Sequence, residues 1–240
     1  MKKKSIISVV GALVALAFTA LPSMASAEET ALRCLTGPPC TFTLHGGITK
    51  LSAIGGDTMT CSAVAGSGQA TPLTNNEATT GNVELTLTGC AEANSGFKFK
   101  CNSPGQVAGT ITANTLVTHN VKLPAATASN EAGVLYTGTN VTYSCAGGLA
   151  IQTLTGNLIG ENENKCGPGS RSATQKLNFL AETVAGVVQD GKQKIREWTS
   201  VKYDLEDKTN HAGAGSYETF AIESTWTATF NQEVELTCAK

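Results

Sequence analysis

Residues 219–230 read Thr-Phe-Ala-Ile-Glu-Ser-Thr-Trp-Thr-Ala-Thr-Phe, and they decide the fold. Phe220, Ile222, Trp226, Ala228 and Phe230 fall on one parity, and Thr219, Glu223, Thr225, Thr227 and Thr229 on the other. A period of two puts successive side chains on opposite faces of a pleated strand, so this segment is a strand with one face buried. The same parity continues through Val234, Leu236 and Cys238. A two-residue hairpin loop would switch the inward set, so unbroken parity calls for an odd-length turn near Asn231-Gln232-Glu233 or one long strand bent by a bulge. A flat strand of this length would span roughly 60 Å, which favours a break near Gln232.

Working outward, Val83, Leu85 and Leu87 alternate with Glu84, Thr86 and Thr88, and Val141, Tyr143 and Cys145 repeat the scheme. Further strand signals lie at 41–45, 48–53, 57–64, 97–101, 107–112, 115–122, 133–137, 149–154, 176–181 and 184–189. Turn-forming clusters punctuate them, among them Gly37-Pro38-Pro39, Gly66-Ser67-Gly68, Asn94-Ser95-Gly96, Ser103-Pro104-Gly105 and Gly167-Pro168-Gly169. The polar stretches 161–173 and 206–216 read as loops; 190–198 alone has some helical look, though Lys192, Lys194 and Arg196 also fit the outer face of a strand. Many short strands between such turns specify an all-β domain: an antiparallel two-sheet sandwich, with a closed β-barrel as the alternative.

The N-terminus carries an export signal. Lys2, Lys3 and Lys4 precede an apolar run over 6–19 that is short for a membrane span, and Ala25-Ser26-Ala27 supplies a small-residue cleavage site. Residues 1–27 are thus a signal peptide and 28–240 one secreted β domain. The mature chain sets 14 basic against 19 acidic residues, a net charge of −5 with histidine neutral. That balance, with no basic run, argues against nucleic acid and against anionic membrane surfaces. No apolar run after residue 27 reaches membrane-spanning length, so an integral membrane segment is not expected after cleavage.

Eight cysteines in an exported chain read as disulfides: Cys34, Cys40, Cys61, Cys90, Cys101, Cys145, Cys166 and Cys238. Cys34 and Cys40 flank the Gly37-Pro38-Pro39 turn, which brings them together. Cys90 and Cys101 flank a hairpin around Asn94-Ser95-Gly96. Cys61 and Cys145, inward on distant strands, suit an inter-sheet bridge, which leaves Cys166 with Cys238. Metal binding lacks the spacing, since there is no C-x-x-C and no Cys/His cluster.

No catalytic, metal or cofactor motif emerges. His45, His119 and His211 are the three histidines, and none has a second histidine or a carboxylate at ligand spacing. Gly213-Ala214-Gly215-Ser216 lacks the spacing of a nucleophile elbow. The aspartates are Asp57, Asp190, Asp204 and Asp207. Glu161, Asn162, Glu163 and Asn164 form the densest oxygen cluster, without the pattern of a calcium loop. Glu223, Glu233 and Glu235 fall on outward faces. Trp226 reads as core, and Trp198, after a charged run, is the better exposed platform for a sugar ring.

Cys61, the run Val83-Glu84-Leu85-Thr86-Leu87-Thr88-Gly89-Cys90, the run Cys101-Asn102-Ser103-Pro104-Gly105-Gln106, Gly109-Thr110-Ile111-Thr112 and Tyr143-Ser144-Cys145 together resemble a loose family. Its members are uncharacterised secreted, cysteine-containing proteins of high-GC Gram-positive bacteria. The resemblance covers roughly 48–160, between an N-terminal disulfide-closed extension (28–47) and C-terminal strands (161–240). It implies that Cys61, Cys90, Cys101 and Cys145 pair among themselves, and it brings no activity or cofactor.

The function expected is a secreted, non-catalytic envelope or extracellular binding or structural protein, with a cell-envelope polymer or protein as partner. A secreted hydrolase with a dispersed active site and a carrier of a small apolar ligand are the alternatives. A hydrolase needs a nucleophile–histidine contact or a carboxylate pair, and a carrier needs an apolar cavity of several hundred Å³.

Overall fold

The computed structural model describes residues 30–53, 58–71, 76–94, 97–123, 132–145, 150–185, 187–195, 197–198, 201–202, 205–211 and 214–237. The fold is all-β and antiparallel, stapled by disulfides, as the alternation requires. The strands in chain order are β1 (Ala31–Cys34), β2 (Cys40–Gly46), β3 (Thr49–Ala53), β4 (Thr58–Cys61), β5 (Ala63–Thr71), β6 (Glu77–Ala78), β7 (Thr80–Thr88), β8 (Ala91–Asn94), β9 (Phe97–Asn102) and β10 (Thr110–Lys122). They continue as β11 (Ala132–Cys145), β12 (Ala150–Asn162), β13 (Arg171–Phe179), β14 (Ala181–Val184), β15 (Val187–Gln193), β16 (Glu197–Trp198), β17 (Val201–Lys202), β18 (Leu205–His211) and β19 (Ala214–Thr237).

Fifteen of these strands form one large sheet, and β14–β15 and β16–β17 are separate two-stranded pairs. In the large sheet β19, β2, β5, β7, β10, β11 and β12 are successive neighbours, and β13 pairs with both β12 and β19. The ladder therefore returns to its starting strand, and its inner faces meet across a common interior. Trp226 of β19 packs edge-on to Tyr136 of β11, 5.8 Å between centroids, although those strands are not neighbours. Phe179 of β13 closes the triad at 4.3 Å from Trp226 and 5.9 Å from Tyr136. Leu44, Leu51, Val64, Val83, Leu85, Ile111 and Leu154 surround it, so the inward parity of each strand supplies one wall of the core.

The C-terminal strand does not break at Gln232. It runs continuously for 24 residues, and the bend is carried by its pairing with β13, where the register jumps between Thr174↔Thr229 and Ser172↔Val234. The polar residues that suggested a turn serve the neighbouring loop instead. Gln232 Oε1 accepts from the Thr36 N–H (2.6 Å) and Oγ1 (2.7 Å), and its Nε2 donates to Gly37 O (2.7 Å). Asn231 Nδ2 donates to Pro39 O, and its Oδ1 accepts from the Thr41 N–H.

Three further readings change. Residues 206–216 include strand pairing, because β18 lies between β12 and β19. The Gly66-Ser67-Gly68 cluster is the middle of β5 rather than a turn. Residues 107–109 form a turn, while 110–112 and 115–122 merge into β10, with a register irregularity between Ala113 and Leu116.

The disulfides are Cys34–Cys40, Cys61–Cys90 and Cys101–Cys145. The first is as expected; the 61–145 and 90–101 pairings are not formed. The cause lies in the register. Thr60 faces Ala91 in β4–β8, Ala91 faces Lys100 in β8–β9, and Cys101 faces Cys145 in β9–β11. One residue further on, Cys61, Cys90, Cys101 and Cys145 stand in a single row across four neighbouring strands, so each inner cysteine has a candidate on either side. The left-handed Gly89 (φ 65°) turns the chain just before Cys90, whose sulfur bonds that of Cys61. The four do pair among themselves. Cys166 is also disulfide-bonded, and the expected partner Cys238 lies outside the described residues.

Candidate functional site

Glycine at two inward positions of β5 shapes the outer surface above it. A Cβ at Gly66 would meet the carbonyl oxygen of Glu84 and the Leu85 side chain. One at Gly68 would meet the carbonyl oxygen of Asn82 and the Phe42 ring. Without side chains there, β5 sits close against β7 and the Phe42 ring tucks beneath it.

Over this stretch the outward parity of five neighbouring strands forms an open groove of about 750 Å³. Register sets its floor. Thr229 faces Thr43, Thr43 faces Ser67 and Ser67 faces Glu84; beside that row, Thr41 faces Gln69 and Gln69 faces Asn82. Neighbouring strands lie about 4.8 Å apart and alternate residues about 6.7 Å apart along a strand. The groove thus presents hydroxyl and amide groups with Glu84 as its one ionisable lining residue, and the Phe42 and Phe230 rings add apolar surface to it. Thr115 Oγ1 donates to Glu84 Oε1 at 3.4 Å. Ser67, Gln69 and Asn82 are exposed.

Among the described residues the interior holds two small cavities. A cavity of about 60 Å³ lies beside Trp226, Tyr136, Leu154 and Met59, and a second of about 50 Å³ lies beside Gln175, Asn162, Phe42 and Phe230. Each has room for a water or two, at roughly 30 Å³ per molecule in the liquid.

The residues weighed from sequence fall in separate places. His45 is exposed on the outer face of β2. His119 Nε2 is hydrogen-bonded to Thr137 Oγ1 at 3.4 Å across the β10–β11 pair. For His211, Asp190 and Asp207 only the backbone is described, and Asp57, Asp204 and Gly213 lie outside the described residues. Only the backbone of Trp198 is described, in β16. Trp226 is buried, as its parity requires.

The 161–164 cluster is spent on structure. Glu163 Oε1 accepts from Lys176 Nζ and Asn178 Nδ2, both at 2.8 Å, and these bonds hold its carboxyl below the usual glutamate range. Asn162 Nδ2 donates to Gln175 Oε1, and Asn164 Oδ1 accepts from the Lys176 N–H. Glu223 pairs with Lys50 at 3.3 Å. Glu235 is a correction: it is buried, because the 163–170 loop folds over it and the Gly169 N–H donates to its Oε1 at 2.9 Å. Glu92, Cys101 and Cys145 come within 4.8 Å of one another, but both sulfurs are committed to their disulfide.

Ser67 and Gln69 went unnoticed because their glycine neighbours read as a turn. The available signal was the alternation Ala65, Ser67, Gln69 against Val64, Gly66, Gly68, which is a strand pattern with small inward residues.

Fold and surface together define a disulfide-stapled all-β protein with an outer groove that carries hydroxyl and amide groups. Compared with protein-family models, with curated proteins and with solved structures, the chain finds no match in any of the three. Among the described residues no helix is long and apolar enough to cross a membrane. The disulfides accord with an oxidising environment.

Proposed function

We propose that the chain is exported through its N-terminal leader and acts outside the cytoplasm, at the cell envelope or beyond it, as a non-catalytic binding protein. The outer groove is its contact surface, and an uncharged, hydroxyl-rich envelope polymer is its partner. The groove carries this reading. Its floor offers donors and acceptors of both signs at regular spacing, with Glu84 the one ionisable side chain among its lining residues. Polymer hydroxyls exchange hydrogen bonds with such a surface at little desolvation cost, whereas a strongly charged ligand finds no complement there. The paired cysteines and the resemblance to secreted proteins over 48–160 support the location.

The test is binding of the purified mature protein to isolated envelope polysaccharide and to soluble oligosaccharides, followed by calorimetry. Replacing Gln69 and Asn82 together by alanine removes two exposed groups from the floor. At about 0.7 kcal/mol per hydrogen bond, affinity falls about ten-fold while the melting temperature is unchanged. A variant that binds as tightly as the parent excludes the groove.

A further inference from the structure

The β8–β9 hairpin carries a second, separate surface. Its second strand begins Phe97-Lys98-Phe99-Lys100, and all four residues are exposed. Phe97 is 69% and Phe99 37% exposed, with ring centroids 6.3 Å apart on one face. Lys98 and Lys100 take the other parity. Among the described residues β11 pairs only with Cys101 and Asn102 of this strand, so the Phe97–Lys100 half projects past it. The one acidic residue in the hairpin, Glu92, faces Phe99 across the β8–β9 pair, and its carboxylate comes within 4.8 Å of the Cys101 and Cys145 sulfurs at the base of that face.

Lysines on a projecting strand guard against edge-to-edge pairing, and that role accounts for Lys98 and Lys100. It does not account for two exposed phenylalanines beside them, which make the strand stickier. Rings on one face and long cations on the other suit tip-first entry into the headgroup region of a lipid bilayer. There phenyl groups reach the acyl boundary and lysine stems extend their ammoniums back to the phosphates. A soluble acidic polymer would satisfy the lysines and leave the phenyl rings in water.

We propose that the β8–β9 hairpin docks the protein on an anionic lipid surface. The acidic remainder of the chain does not forbid this. At 0.1 M salt the Debye length is about 10 Å, so contact at the tip is governed by the charges at the tip. This surface is independent of the groove.

The test is sedimentation of the folded mature protein with vesicles of phosphatidylglycerol and phosphatidylcholine, against phosphatidylcholine alone, at 0.1 M salt. The protein is expected on the anionic vesicles. Lys98→Gln with Lys100→Gln lowers partitioning about 30-fold, from roughly a factor of five per lysine. Phe97→Ser with Phe99→Ser lowers it at least about ten-fold, and Gln69→Ala with Asn82→Ala leaves it unchanged. All six positions are exposed, so the variants retain the parent melting temperature. Absence of partitioning overturns the proposal, as does equal partitioning onto both vesicle types. Retention by the phenylalanine variant, or capture by a soluble acidic polysaccharide without vesicle binding, overturns it as well.

Discussion

Replacing Cys101 and Cys145 together by alanine tests the register that organises the sheet. The Cys101–Cys145 bridge closes 44 residues, Cys61–Cys90 closes 29 and Cys34–Cys40 closes 6. On the chain-entropy estimate these loops contribute about 4.0, 3.6 and 2.2 kcal/mol at 25 °C. The two longer loops follow one another along the chain without nesting, so their contributions are close to independent. All six sulfurs are buried to a similar degree, so truncation to alanine costs each pair a similar packing loss. Differences between the three double variants therefore report loop length. For a domain of this size 1 kcal/mol is about 2–4 °C of melting temperature, so the Cys101/Cys145 variant melts about 8–16 °C lower. The assay is reversible denaturant unfolding without reductant, with near-UV circular dichroism as the signal. The order of cost is Cys101/Cys145, then Cys61/Cys90, then Cys34/Cys40. If Cys34/Cys40 costs as much as Cys101/Cys145, the loop-closure argument fails.

Other perturbations follow from the packing. Gly68→Val drives a branched side chain into the Phe42 ring and the Asn82 carbonyl, and overpacking of this kind costs about 1–3 kcal/mol, read by urea denaturation. Trp226→Ala removes the centre of the aromatic triad and costs about 3–5 kcal/mol. Trp226→Phe costs less, because the buried indole N–H has no hydrogen-bond acceptor to lose. Burial pushes the Tyr136 phenol well above its usual range, so the stability it confers is complete below the unfolded tyrosine value of about 10 and is lost as pH rises above it. Tyr136→Phe flattens that alkaline loss in a stability-against-pH series. Glu163 has the opposite sign. Its lowered carboxyl confers stability above the unfolded glutamate value, lost as pH falls through the folded one, and Glu163→Gln removes a small part of the acid loss, small because the pair is exposed.

Parity was the legible part of the sequence. The inward sets read from residues 82–88, 139–145 and 219–230 are buried, with Leu87 half-buried, because alternation is a local property and burial enforces it. Partners were not legible. Strand β19 meets β18, β3, β13, β2 and β1 in turn, and only that succession explains how 24 residues stay extended without a turn. The cysteines failed for the same reason. Facing one way is a local fact, but which neighbour each sulfur meets depends on the order β4, β8, β9, β11. In the groove, glycine misled: Gly66 and Gly68 are there because two backbones approach closely, and in sequence that is indistinguishable from a turn. Glu235 was misplaced because parity does not reveal a loop folding over the outer face.

The proposed export and the oxidation of the cysteine row in one particular register are open to a single test. Mass spectrometry of the protein recovered from outside the cell, digested without reduction, reads both properties at once. Cleavage at Glu84, at Lys98 or Lys100, and at Lys122 separates Cys61, Cys90, Cys101 and Cys145 onto four peptides. The predicted result is an N-terminal peptide beginning at Glu28, with the Cys61 peptide linked to that of Cys90 and the Cys101 peptide to that of Cys145. Links of Cys61 to Cys145 and Cys90 to Cys101, or an intact leader with free thiols, would contradict it.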